Sequence, residues 1–334
     1  MTKKVLRDIH VAGVCYALSG YAFPHLNMGT ISTKICLKTV CFGRETMTKF
    51  QDKVIIITGA TEGIGRALCL ARAPQKPKLV LAARNKDRLL QLKEEIESKG
   101  AQSLMVPTDV GESQACKDLI EKTISAFGSL DALVNNAGRT MWTTLEDLTD
   151  ISIMEQLMRI NYLGAAYCTY YALPHLKKSQ GRIVGVSSVT GLTGVPTRTA
   201  YAATKHAMFG FFDSLRIELM GTGVTVTMIA PDFVLSELHR RAFAKDGKPL
   251  GSSPLKKDKI MTANECAVKI IKAMENRDRL AVLSLRGKLG RWVKLIDWLV
   301  YTSDAADETK RVWRGGGDGA AKRGGGGGGG VVGG

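Results

Sequence analysis

Val54-Ile-Ile-Ile-Thr58-Gly59-Ala-Thr61-Glu62-Gly63-Ile64-Gly65-Arg66 decides how this chain folds. Four β-branched apolar residues in a row, Val54–Ile57, predict a strand buried on both faces. They run through Thr58 into glycines spaced G-x-x-x-G-x-G, and a helical stretch follows from Gly65 to Ala73. A strand that turns through glycines into a helix lets backbone N–H groups and the positive helix end approach a pyrophosphate. The spacing differs from the more familiar G-x-G-x-x-G, so a tight turn without a ligand is the competing reading.

Downstream the same alternation recurs. Apolar runs at Leu79–Ala83, Leu104–Val106, Ala132–Val134, Ile183–Val186, Val224–Ile229 and Leu280–Leu283 predict six further strands. Helix-length intervals separate them: Lys86–Ser98, Ser113–Ala126, Ile153–Leu176, Ala200–Met220 and Ala263–Asn276. Strands joined by crossover helices form a parallel sheet, so the expected fold is α/β: a Rossmann-type, doubly wound, seven-stranded sheet with helices on both faces, in a single domain. Asp87 and Ser113 are expected to cap helix starts, and Gly100, Gly128 and Gly221 to stop helices.

The 334 residues carry 47 Lys plus Arg against 31 Asp plus Glu, a net charge of +16, with 45% apolar residues. That composition excludes disordered, collagen-like and disulfide-scaffold classes. Cys15, Cys36, Cys41, Cys69, Cys116, Cys168 and Cys266 contain no C-x-x-C pair and read as free thiols, neither metal ligands nor disulfides. Arg240–Ile296 holds 15 basic and 5 acidic residues, so most of the excess charge is local. No nucleic-acid-binding motif accompanies it.

The ends differ in texture from the middle. Residues 1–46 contain a weak apolar stretch, Val11–Phe23, behind Lys3, Lys4 and Arg7, too short to span a bilayer. Met47 reads as a natural start, which makes residues 1–46 an upstream extension. Residues 301–334 hold 13 of the 36 glycines and read as an artefactual tail. The working domain is therefore expected to run from 47 to 300. Within it, Phe233–Lys259 is read as a mobile substrate lid. Residues 286–300 are read as an amphipathic helix for an anionic membrane surface or for packing against a partner or the core.

Three places bear on chemistry. After the second strand stands Arg84, with Lys86 and Arg88 close behind, where the ribose 2′ position of a dinucleotide falls. Cations there favour NADP over NAD. Tyr201 and Lys205 lie at i and i+4 of a predicted helix. Ser188 follows the fifth strand and Asn161 lies in the preceding long helix, so several strand ends converge on one crevice.

Together Thr58-Gly59-x-x-x-Gly63-x-Gly65, Asn135-Asn136-Ala137-Gly138, Asn161, Ser188 and Tyr201-x-x-x-Lys205 resemble the short-chain dehydrogenase/reductase family over about 240 residues, from Lys53 to near Trp292. Within it, the chain looks most like NADP-dependent carbonyl reductases and hydroxysteroid dehydrogenases. The resemblance implies hydride transfer between NADPH and a hydrophobic ketone or secondary alcohol, steroid-like or fatty. Tyr201 would be the acid/base and Lys205 its cation. Ser188, chosen over Ser187 by spacing, would bond the substrate oxygen, and Asn161 would hold a water. Thr58, Gly59, Thr61, Gly63, Ile64, Gly65, Arg84, Asp109, Val110, Asn135, Ala137, Gly138, Tyr201, Lys205, Pro231 and Val234 would bind the cofactor, with no metal.

The same resemblance implies a homodimer or homotetramer. The protein is expected in the cytoplasm, with membrane contact only through residues 286–300. Two positions depart from the family's pattern: Glu62, where NADP-preferring relatives often carry a base, and Asp232, where glycine is usual after Pro231. His206 is expected to point off the catalytic face. A 3-oxoacyl-carrier-protein reductase and a non-catalytic NADP-binding scaffold are the competing functions.

Overall fold

Seven parallel strands run through the centre of the described residues: β1 (Val54–Thr58), β2 (Lys78–Ala83), β3 (Gln102–Pro107), β4 (Ala132–Asn135), β5 (Arg182–Val186), β6 (Thr225–Ala230) and β9 (Leu280–Val282). A computed structural model of the chain describes residues 50–253 and 260–290, all within one unit that begins at Thr48. The order is β3-β2-β1-β4-β5-β6-β9, so the sheet grows in one direction from β1 and then in the other. That reversal leaves a crevice between the carboxyl ends of β1 and β4.

Burial on both faces follows from the alternation of side chains along each strand. Ile55 and Ile57 of β1 enter one core with Leu79, Leu81, Val134, Val184 and Ile229. Val54 and Ile56 enter the other with Val80, Leu133, Ile183 and Met228. Helices α1 (Gly63–Arg72), α2 (Lys86–Glu97) and α7 (Ala263–Glu275) cover the first face with Leu68, Leu89, Leu92 and Ile270. The second face is covered by α3 (Ser113–Phe127), α5 (Gly164–Ser179) and α6 (Thr199–Glu218) through Leu119, Cys168, Leu176 and Phe212.

Local details depart from the sequence reading. The single long helix predicted over Ile153–Leu176 is α4 (Ser152–Met158) and α5 joined by one wide π turn, Arg159–Leu163, that carries Asn161. Such a turn inserts one residue per cycle and redirects the side chain at it. Asn85, not Asp87, caps α2 by accepting the Arg88 N–H at 2.9 Å. Ser113 does not cap α3; its hydroxyl lies 3.0 Å from that of Tyr171. Gly100, Gly128 and Gly221 do stop helices, each at positive φ.

A two-stranded parallel ribbon, β7 (Val234–Leu235) with β8 (Met261–Thr262), was not foreseen, because two-residue strands carry no periodicity. Residues 1–46, 291–300 and 301–334, and residues 254–259 of the segment read as a lid, lie outside the described residues. Cys69, Cys116, Cys168 and Cys266 are buried free thiols. No described helix is long and apolar enough to cross a membrane.

Arg72 fastens α1 to α7. Only 2% exposed, its guanidinium donates to Glu275 at 2.8 Å and lies 4.1 Å from the centre of the Phe50 ring. Removing the carboxylate strands a buried cation. Glu275→Ala is therefore expected to cost about 3–5 kcal/mol of unfolding free energy, to be read from the shift of the urea midpoint.

Candidate active site

The crevice at the reversal of strand order widens into a cleft of about 1090 Å³. Its floor is made by two chain segments that nearly touch. A Cβ on Gly59, which sits at φ +64, would lie 2.9 Å from Ala137 Cα. One on Gly65 would lie 2.2 Å from Gly59 O. These two glycines therefore serve the packing of β1, α1 and the Asn136–Gly138 turn. The first turn of α1 faces the cleft, and its N-cap residue Glu62 makes no side-chain capping bond. Its N–H groups are left to meet an anion.

Thr58 lies behind that floor, 1% exposed. Its hydroxyl donates to Val134 O and accepts the N–H groups of Asn136 and Ala137 at 3.0 Å each. Asn135 is also buried, donating to Thr169 Oγ1. Neither Thr58, Asn135 nor Gly65 lines the cleft, whereas Gly59, Thr61, Gly63, Ile64, Arg84, Asp109, Val110, Ala137, Gly138, Pro231 and Val234 do.

Ser188, Tyr201 and Lys205 line the other end. Tyr201 is 8% exposed. Burial raises its phenol above its ordinary value, against the facing Ser188 hydroxyl and the charge of Arg198, which lower it. The Lys205 ammonium donates to Val186 O at 3.0 Å and lies 5.7 Å from the centre of the Tyr201 ring. Burial brings Lys205 down to about 8. Ser188 Oγ accepts the Thr190 N–H at 3.2 Å. Ser187 also lines the cleft, but its hydroxyl is engaged, donating to Lys205 O at 3.1 Å. His206 Nδ1 is bonded to Ala202 O along its own helix.

Asn161 does not line the cleft. Wholly buried, it accepts the Arg139 N–H at 2.8 Å and donates at 2.9 Å to both Arg139 O and Thr204 Oγ1. It ties the π turn to the strand end after β4 and to α6. Gly138 lies over it, and a Cβ there would meet Asn161 Oδ1 at 3.1 Å.

Sequence reasoning missed an arginine belt around the opposite mouth. Arg84 stands 3.9 Å from Asp109 and is mostly exposed. The Glu62 carboxylate is ion-paired with Arg88 and, at 2.7 Å, with Arg241 of the segment between β7 and β8. The acid that broke the family's pattern is thus neutralised by two bases. Arg139 lies 3.7 Å over the Phe243 ring; burial first, then the charges of Arg84 and Arg241, lower it. The signal for this belt was the basic excess after Arg240, which linear order could not bring to Glu62.

Among the described residues, the segment after Phe233 is bonded to the chain that follows β4. Phe243 N donates to Thr140 O, and Trp142 N to Phe243 O, both at 2.9 Å. Asp232 lines the cleft, and its carboxylate is engaged. Its carboxylate takes two bonds from Arg286, at 2.7 and 3.0 Å, and one from Ser284 at 3.0 Å. The loop after β6 is thereby tied to the start of the helical segment at 285–290.

Residues 53–247 match the model of the short chain dehydrogenase family. An 11-beta-hydroxysteroid dehydrogenase-like protein of Arabidopsis thaliana is 38% identical over 62% of this chain and 66% of its own length. An 11-beta-hydroxysteroid dehydrogenase of Pinus massoniana is 38% identical over 58% of this chain and 54% of its own. The chain therefore spans between about half and two thirds of these plant relatives. A dehydrogenase/reductase SDR family protein 7-like protein of Dictyostelium discoideum is 33% identical over 75% of this chain and 79% of its own. Among solved structures, an SDR from Burkholderia phymatum in complex with NAD has a TM-score of 0.68 at 23% identity, covering 76% of this chain and 96% of its own. The alcohol dehydrogenase of Thermococcus sibiricus complexed with 5-hydroxy-NADP has 0.59 at 25%, covering 69% and 95%.

The depressed Lys205 makes a stability prediction with a definite sign. Its value of about 8 in the folded chain lies below the ordinary 10.5, so the unfolded chain binds more protons between those pH values. The cost of the buried charge is then fully present below pH 8 and fades as pH rises towards 10.5. Without added nucleotide, the stability of the parent chain relative to Lys205→Met should therefore rise over pH 8–10.5 in chemical denaturation; a flat difference would refute the assignment.

Proposed function

Because the chain belongs to the short-chain dehydrogenase family of oxidoreductases, we propose that it transfers a hydride between NADPH and a hydrophobic ketone or secondary alcohol. One observation carries the reading. A single cleft joins the glycine turn and the open N-terminus of α1 to the half-buried Ser188 and the buried pair Tyr201 and Lys205.

The residues present fit a phosphorylated dinucleotide. Gly59 and Gly63 hold positive φ in the turn under the pyrophosphate, whose charge the first N–H groups of α1 would meet. Arg84 and Arg88 supply fixed charge for a 2′-phosphate, and Arg139 and Arg241 add to the same field. Asp109 and Val110 wall the adenine end, and Pro231 and Val234 the nicotinamide end. When bound, NADPH supplies the hydride.

Tyr201 then gives its phenolic proton to the carbonyl oxygen. Burial keeps that phenol protonated at neutral pH, which suits the reductive direction. The Ser188 hydroxyl donates to the same oxygen as charge develops on it. Lys205, still largely cationic at pH 7, favours the phenolate that remains. Asn161 acts from beneath, holding the turn that bears Gly138 against α6 and so the position of Tyr201. The plant relatives' names support a lipophilic substrate. Ile151 and Tyr170, 76% and 73% exposed on the α4–α5 side, support assembly as a homodimer or homotetramer.

NADPH oxidation against a panel of steroids, aliphatic ketones, quinones and acyl thioesters tests the activity. Turnover confined to thioesters would favour a carrier-protein reductase, and tight NADPH binding without any turnover a scaffold. Tyr201→Phe is expected to abolish turnover while NADPH binding, followed by cofactor fluorescence, stays within about twofold, the loss falling in the chemical step. Arg84→Ala should weaken NADPH about tenfold or more while leaving NADH nearly unchanged, since charge-assisted bonds to one phosphate are lost.

A further inference from the structure

Four arginines that line the cleft have a carboxylate within ion-pair reach: Arg84 with Asp109, Arg88 and Arg241 with Glu62, and Arg286 with Asp232. A fifth, Arg139, lies over the Phe243 ring with an arm donating to Arg241 O, whereas Arg198 is buried with one arm unmet. It immediately precedes α6, is 4% exposed, lines the cleft, and has no carboxylate partner among the described residues. One arm donates to Thr140 Oγ1. The guanidinium lies 3.9 Å over the Trp142 ring and 5.9 Å from the centres of the Tyr201 and Phe233 rings. Its other arm, Nη2, is buried and makes no hydrogen bond among the described residues.

A second orphan stands beside it. His239, 6% exposed and also lining the cleft, packs its ring 6.1 Å from Trp142 and 6.0 Å from Phe233. Its Nδ1 is buried without a hydrogen-bond partner among the described residues. Burial, with Arg198 adding repulsion, holds the ring far below its ordinary value, at about 4, so it is neutral at pH 7. A neutral imidazole can present an N–H from Nδ1. Stacking on Trp142 offsets part of the cost of burying Arg198, but it leaves Nη2 unsatisfied.

The geometry points to a carboxylate subsite: Arg198 Nη2 and His239 Nδ1 receive the carboxylate of an oxo-acid or hydroxy-acid substrate whose carbon chain lies against Phe233. The guanidinium lies 5.9 Å from the centre of the Tyr201 ring, which puts the subsite beside the proposed acid/base. The proposal rests on the oxidoreductase reading and narrows its substrate from a neutral lipophilic carbonyl compound to an acidic one. A neutral compound would leave both polar atoms unmet. A site built to hydrogen-bond a group discriminates strongly against analogues that lack it.

Two measurements on the full chain test this. In the presence of NADP, calorimetry should show octanoate binding about tenfold or more tighter than octanamide. Arg198→Met should bring that ratio to about one, and Arg198→Lys should keep part of it. Equal binding of acid and amide by the parent chain, or an unchanged ratio in Arg198→Met, overturns the subsite.

In turnover, aliphatic oxo acids are paired with their methyl esters. The acid should lead by a similar factor in kcat/KM, mostly through KM, and His239→Phe should narrow the lead while keeping the aromatic frame. Should Arg198→Met fail to fold, as judged by NADPH binding and thermal melting, Arg198→Lys and His239→Phe carry the test. Selective octanoate binding without turnover of any ketone would count against the oxidoreductase reading and leave the subsite standing. Equal turnover of acids and esters would do the reverse.

Discussion

The end of β1 is fastened to the end of β4 by one hydroxyl, and the cleft depends on it. Thr58 accepts two successive N–H groups, those of Asn136 and Ala137, and donates to Val134 O. Asn136 returns the contact by donating to Thr58 O and Gly59 O. At this point the two strands stop pairing and their chains part to opposite faces of the sheet. A gap in a parallel sheet exposes backbone groups that would otherwise be bonded. The Thr58–Asn136 clasp satisfies them locally and sets the width of the opening. Gly59 and Gly65 are small because the clasp draws backbones together, Gly138 because the Asn161 side chain lies against it, and Asn161 continues the same network under the floor.

Charge is distributed by the same logic. Most of the excess lies in the last part of the domain, and the fold returns part of it to the cleft. Arg241 reaches Glu62 of the glycine turn, and Arg286 closes on Asp232 after β6. Each pairing spends a carboxylate that the sequence alone presents as an obstacle, Glu62 near a phosphate and Asp232 in a loop where glycine is usual. The pairs are partly exposed, so their contribution to stability is small. Their effect is positional: they fix where the two segments lie around the cleft. Arg198 stands apart because it is buried with aromatic neighbours instead of an acid.

The local fold was legible because its signals are short-range. The β-branched runs of β1 and β6, the apolar run of β2 and the glycine stops at Gly100, Gly128 and Gly221 depend on neighbouring residues, and the structure follows them. Helix caps were read less well, since Asn85 and Asp87 are both good capping residues and only backbone geometry selects Asn85. The π turn at Asn161 was invisible for a related reason. Inserting one residue leaves the helical pattern almost intact, while the cause, bonds to Arg139 and Thr204, lies 22 and 43 residues away in sequence.

The candidate site divides along the same line. By itself the sequence determined the sheet, the glycine turn and the i, i+4 placement of Tyr201 and Lys205, because each follows from a strand or helix period. Tertiary structure alone decided that Thr58, Asn135 and Asn161 work behind the wall, that Glu62 is held between Arg88 and Arg241, and that Arg198 and His239 share one aromatic frame. The physical reason is that a side chain's burial and its partner's charge are properties of three-dimensional neighbours. Those two quantities, and not residue type, separate a solvated arginine from one that awaits an anion.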